Sequence, residues 1–296
     1  MKFALDLRTQ RATNQKAASR ALIKRHKADG EGEVHNTGWL LSEPIRIPGP
    51  VDPQRGYCVV APADTRHLLT FGTLLNDNIV QGYLNLLAAK FDRLGVPVRI
   101  VMPQFYPAFL RHGWVGVQRW VKETAFMESN WLTAQIILVP IFTGSIYSGH
   151  WSGFTIDRRI PIGPTGIRVY QDSLPSQVSA DDLKDRLSRT PLVQDTSIWI
   201  TANTPVQATG SNDCAVCMCC SFTAYLNAVQ QETLLQRGTG DDGGRIGMTM
   251  RLNGLSLKDL GLSGRQHIHY SFRNGTINLD DPAIAALAVS IHATPT

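Results

Sequence analysis

Apolar residues change their spacing along this chain, and the changes mark out its elements. Over residues 77–94 the positions Ile79, Tyr83, Leu86, Leu87 and Phe91 recur at helical spacing, with Asn76 or Asp77 available as an N-cap. That predicts a helix packed on the core. Residues 103–112 and 115–127 predict two further helices, the second lined by Trp120, Val121 and Phe126. The middle of the chain turns β-prone: residues 135–142, 151–157, 167–171 and 197–201 are short runs bounded by Gly, Pro, Asp or Asn and read as strands. Ser179 can cap a helix over 180–189, and 213–229 reads as a buried helix. Helices followed by a strand cluster with one intervening helix predict an α+β domain with a short central mixed sheet flanked by helices.

The flanks read differently. Helix formers over 1–27 give way to Gly30, Gly32, Pro44, Pro48, Pro50 and Pro53, an extended connector, so the globular body is expected to start near Tyr57. This divides the chain into a basic N-terminal arm and Pro-rich connector (1–55), a globular domain (56–235), and a Gly-rich loop with a C-terminal extension that can pack on it (236–296). The loop over 237–247 holds five glycines with Asp241 and Asp242 but lacks the Gly-Lys-Ser/Thr ending of a phosphate site, so it reads as a flexible loop. The last 50 residues carry no readable motif.

Composition narrows the class. With 43% hydrophobic and 18% charged residues in 296, wholesale disorder is excluded and a sizeable core is expected. The longest apolar stretches, such as 135–142, fall far short of the roughly 20 residues needed to span a bilayer, so a soluble protein without a membrane span is expected. The net charge of +5 belongs mostly to residues 1–33, where eight Lys or Arg face four acids. Such an arm can make weak contact with nucleic acid or an anionic surface; a solvated helix or leader with no partner is the alternative. No apolar run follows these charges, so no secretory signal is expected. Five cysteines, four of them at Cys214, Cys217, Cys219 and Cys220, lack distant partners other than Cys58 and predict a reducing compartment, cytoplasm or nucleus, including that of a host cell.

Candidate chemistry gathers in the middle of the chain. Cysteine catalysis needs a thiolate, a His to carry its proton, a group to orient that His, and oxyanion donors. His150 stands between two predicted strands, and Asp172 follows 22 residues later at the end of Ile-Arg-Val-Tyr-Gln-Asp-Ser-Leu. Neighbouring strands would place the two at adjacent edges. Cys214 opens a helix, whose free N–H groups and positive dipole end stabilise a thiolate. Gln207 and the Cys214 backbone N–H can serve the oxyanion. A rival reading makes Cys214 and Cys217 half of a zinc site completed by His267 and His269; Cys217, Cys219 and Cys220 otherwise read as small core residues.

The order His-Trp, Asp-Ser-Leu, Gln, then Asn-Asp-Cys at a helix start resembles the SUMO/ubiquitin-like-protein proteases and their relative, the adenovirus endopeptidase. Leu75-Asn76-Asp77-Asn78-Ile79 looks like the segment that opens a substrate-facing helix in that family, and the match spans about residues 70–228. The resemblance implies a papain-like cysteine protease with Cys214 as nucleophile, His150 as base then acid, Asp172 as orienter and Gln207 as oxyanion donor. It implies no cofactor and no metal, a ubiquitin-like modifier as partner, and Trp151, Leu74, Asn76 and Asp77 at the substrate. Two departures stand out: Leu74 where the family usually has a Trp roofing the diglycine channel, and Ala215 where it usually has Gly. A polyprotein-processing protease of a virus or mobile element, an acyltransferase, and a catalytically silent modifier-binding module are the alternatives.

Overall fold

The structure is a computed structural model that describes residues 41–49, 56–123, 134–145, 149–159, 166–174, 180–188, 190, 192–193, 198–208, 210–231 and 245–294. The basic arm, the expected helix end at Met127, the Ser179 cap and the Gly-rich loop up to residue 244 lie outside them. A small hairpin-like pair comes first, β1 (Ile45–Ile47) antiparallel to β2 (Cys58–Val60). Ile47 is buried in the main core, so the body starts upstream of Tyr57, inside the stretch expected to be a connector. Three residues between Pro44 and Pro48 are too few to show a period, and Arg46 stacking 3.9 Å over the Tyr57 ring helps hold the pair.

Seven strands then form one sheet in sequence order: β3 (Val98–Ile100), β4 (Ile136–Thr143), β5 (His150–Asp157), β6 (Ile167–Gln171), β7 (Ile198–Asn203), β8 (Arg245–Leu252) and β9 (Leu287–Thr294). The pairs β3–β4, β6–β7 and β7–β8 are parallel and the others antiparallel. Parallel neighbours need a crossover. The helices supply it: after α1 (Pro62–Leu69) and α2 (Asp77–Arg93), α3 (Phe105–Glu123) joins β3 to β4, α4 (Ala180–Leu187) joins β6 to β7, and α5 (Cys214–Gln230) joins β7 to β8. Finally α6 (Leu257–Asn274) and α7 (Pro282–Ala285) precede β9. The expected α+β architecture, a mixed sheet flanked by helices, is the one found.

Strand alternation sorts side chains to two cores. In β4, Ile136 and Leu138 join α2, α5 and α6, while Ile137, Val139 and Ile141 join Phe105, Tyr106 and Val117 of α3 and Leu183 and Leu187 of α4. The two helices expected over 103–127 appear as segments of α3 on either side of Gly113, whose φ of 64° breaks the helical run. Residues 245–294, silent in the sequence, complete the sheet and send Met248, Leu260, Ile268, Phe272 and Ile284 into the same core as α2 and α5. No helix among the described residues is long and apolar enough to cross a membrane.

The approach of α5 to β5 governs the rest. Period two sets Trp151, Gly153, Thr155 and Asp157 on one face of β5. A Cβ built on Gly153 would sit 2.6 Å from Phe222 Cζ and 3.0 Å from the Val139 carbonyl oxygen, so only glycine lets α5 close down. Further along, the Tyr225 hydroxyl donates to Asp157 Oδ2 at 2.8 Å. Gly153→Ala is therefore expected to destabilise the fold by about 1–3 kcal/mol through overpacking, read as a lowered urea midpoint with an unchanged m-value.

Candidate active site

His150 opens β5 and Asp172 follows β6, antiparallel neighbours whose register pairs Gly153 with Gln171. The two residues therefore fall at one sheet end, as adjacent strands require. His150 Nε2 lies 2.6 Å from Asp172 Oδ1, with both side chains buried. The Cys214 side chain, at the start of α5, adds a second interaction that favours the protonated imidazole. Cys214 is the first residue of α5 and is buried. The structure thus brings His150, Asp172 and Cys214 together.

The carboxylate is heavily held. Asp172 Oδ1 also accepts the Leu174 backbone N–H at 2.7 Å, and Oδ2 accepts the Tyr170 hydroxyl at 2.8 Å. Tyr170 was not singled out in the sequence, although two residues back on a strand is the position that shares a face with Asp172. Burial and the neighbouring Asp172 charge push the Tyr170 phenol far up, so it stays a neutral donor. Burial pulls the His150 pKa down, but the bonds and charges of Asp172 and Cys214 outweigh it and raise the value from 6.5 to about 9.

Gln207 is buried beside the same loop, with its orientation fixed by its partners. Its Oε1 accepts from Ser173 Oγ at 3.0 Å and its Nε2 donates to the Ser211 carbonyl at 2.8 Å, and a flipped amide would set Oε1 against that carbonyl. One N–H is thus committed and the second is left over among the described residues. Desolvation pushes the Cys217, Cys219 and Cys220 thiols up and lifts Cys58 to about 11. The zinc alternative fares poorly: His267 Nε2 is engaged with the Tyr83 hydroxyl at 3.0 Å, and among the described residues no three His, Cys, Asp or Glu gather to hold a metal.

Beside His150 runs a cleft of about 320 Å³, lined by Leu74, Asn76, Asp77, Gln104, Phe142 and Trp151 among others. It brings together all four residues expected at the substrate. Trp151 is locked by its Nε1 donating to the Leu75 carbonyl at 3.0 Å and by the Phe142 ring at 4.9 Å. Asn76 caps α2 by accepting the Ile79 N–H at 3.0 Å, and Asp77 accepts from Gln104 Nε2 at 2.7 Å, so both polar walls are fixed. Gln104 was not foreseen, since only the fold carries it to Asp77.

Comparison with known proteins places the fold. The chain superposes on a crystal structure of a de-sumoylating protease with a TM-score of 0.55 at 15% identity, covering 79% of this chain and 92% of that one. The chain has the SUMO-protease fold. A second structure with this fold, the C-terminal Ulp1 protease domain in complex with Smt3, the yeast ortholog of SUMO, gives a TM-score of 0.50 at 18% identity over 80% of this chain and 90% of that one. In sequence, Sentrin-specific protease 2 of Homo sapiens and that of Pongo abelii are each 35% identical over 86 residues, 29% of this chain. The match spans 13% of those relatives' length. No family model matches.

The electrostatics carry a pH signature. Because the folded-state pKa of His150 lies above its ordinary 6.5, the protonated ring stabilises the fold at and below that pH, and the contribution fades as pH rises to about 9. Titration of the His150 ring by NMR is expected to give a midpoint near 9. In Asp172→Asn the midpoint should move down, since a favourable charge is lost while burial remains. An unmoved midpoint would contradict the coupling.

Proposed function

We propose that this chain is a cysteine protease that hydrolyses the peptide or isopeptide bond after the C-terminus of a ubiquitin-like modifier, of SUMO type in the first instance. One observation carries the reading: His150 is bonded through Nε2 to Asp172 at 2.6 Å, and the same imidazole interacts with the Cys214 side chain that starts α5. This is the geometry of an activated nucleophile and its oriented base. The SUMO-protease fold and the 35% identical stretch of Sentrin-specific protease 2 support the choice of substrate class.

In this mechanism the Cys214 thiolate attacks the carbonyl carbon of the terminal glycine. The oxyanion receives the free N–H of Gln207 and the backbone N–H of Cys214. Collapse expels the amine, which takes its proton from His150 Nδ1, and leaves a thioester. His150 then accepts a proton from water, whose oxygen attacks the thioester carbon; the modifier leaves with a free carboxylate and Cys214 regains its starting state. Asp172 holds the ring, with Tyr170 and the Leu174 N–H holding Asp172.

Modifiers bearing a C-terminal electrophile test the reading. Cys214 should be the labelled residue, Cys214→Ala should abolish both labelling and turnover while keeping the fold, and Gln207→Ala should lower kcat by about 10²-fold or more. Label on another cysteine, or turnover by Cys214→Ala, removes the assignment.

The channel makes a second test. Trp151 supplies one flat wall, but Leu74 offers a smaller side chain with no ring face to lie on glycine peptide planes. Cleavage after Gly-Gly with tolerance of Gly-Ala is expected, with selection resting on the modifier's globular surface near Asn76 to Tyr83. Measured as kcat/KM on full-length modifiers and matched peptides, Leu74→Trp should sharpen the preference for Gly-Gly. Strict rejection of Gly-Ala by the native chain, or peptides cleaved as well as whole modifiers, overturns this picture of the channel.

A further inference from the structure

Arg265 lies on the apolar stripe of α6, in line with Leu260, Gly261, Gly264, Ile268 and Phe272, and is fully buried. A buried guanidinium is tolerated only where its donors are matched. Here they are matched by two segments far apart in sequence. On one side it pairs with Asp213 Oδ1 at 2.8 Å. On the other, Nη2 donates to the Thr73 carbonyl at 2.7 Å and Nη1 to the Leu68 and Thr70 carbonyls at 3.1 and 3.3 Å. Asp213 immediately precedes Cys214, and Thr73 immediately precedes Leu74. The Asn212 side chain adds a direct tie between the two loops, donating to the Gly72 carbonyl at 2.6 Å.

The contact on Asp213 has an electrostatic side. Asp213 stands at the N-cap of α5, where an aspartate ordinarily accepts one of the first backbone N–H groups of its helix. It makes no such bond. Its carboxylate is turned onto Arg265, and α6 presses so close that a Cβ on Gly261 would sit 2.5 Å from Asp213 Oδ2. The free N–H groups and positive end of α5 are therefore left to the Cys214 side chain, and the Asp213 charge, which would repel a thiolate next to it, is neutralised.

We propose that Arg265 is a positioning residue that sets two things at once: the start of the Cys214 helix, through Asp213, and the Leu74 wall of the substrate cleft, through Thr73. This rests on the reading of Cys214 as the nucleophile. It makes α6, from the part of the chain without a readable motif, a working part of the site.

The two arms can be loosened separately without removing a buried charge. Gly261→Ala pushes on Asp213 alone and should lower kcat and the rate of Cys214 alkylation by chloroacetamide by about 10-fold or more, with KM little changed. Thr73→Val removes the hydroxyl that ties Thr73 to the His67 and Thr70 carbonyls, and should raise KM severalfold for a Gly-Gly modifier while alkylation keeps its rate. Arg265→Lys, which keeps the charge but not the fork, should do both. Rates are taken per active site by titration and alongside thermal midpoints. A residue that only supported the fold would lower the midpoint and the active fraction while leaving per-site kcat, KM and alkylation unchanged, and that result overturns the proposal. So does the absence of a split between Gly261→Ala and Thr73→Val. If the native chain cleaves no modifier, the proposed function has failed, and the alkylation rates still decide whether Arg265 positions Cys214.

Discussion

The contact between His150 and Cys214 spans two layers of the molecule, so it exists only while α5 rides on β5 at one height and in one register. Cys214, Met218, Phe222 and Tyr225 recur at helical spacing down the side of α5 that faces the strand. The strand answers with His150 at its start, Gly153 under Phe222 and Met218, and Asp157 bonded to Tyr225. Glycine sets the height by having no side chain, and the tyrosine–aspartate bond sets the register with a polar match at the far end. Asp157 is wholly buried and is also held by Arg159 at 2.8 Å, which makes that end costly to slide.

How much of this was legible depended on whether the cause was local. The α2 helix and strands β4, β5 and β6 follow from periodicity because each presents a face to a core, and their observed bounds differ from the expected ones by a residue or so. His150, Asp172, Cys214 and Gln207 were recognisable as an ordered set, and the fold gathers the first three around one imidazole. What the sequence hid was non-local. The strand β1 is three residues long and gains its meaning from β2, while β8, β9 and α6 owe their places to a sheet already built. Arg265 left one faint trace, a lone charge on an otherwise apolar helical stripe, but nothing near it in sequence names Asp213 or Thr73 as its partners.

Behind the His150–Asp172 pair, Gln171 is buried with neither amide atom bonded, and Ser211 Oγ and Asp213 Oδ2 are likewise buried without a partner among the described residues. Each such group costs about 1–3 kcal/mol against a satisfied one. A fold selected for stability alone would fill these positions with apolar side chains. These three adjoin the residues that hold His150 and Cys214: Gln171 precedes Asp172, the Ser211 carbonyl accepts from Gln207, and Asp213 precedes Cys214. The cores on the two faces of the sheet carry that cost, because β4, β5 and β6 are buried on both sides. A sheet covered on one face only would have no such reserve, so the α3 and α4 layer, packed on the face that holds Tyr170, is part of what allows a site this polar to be buried.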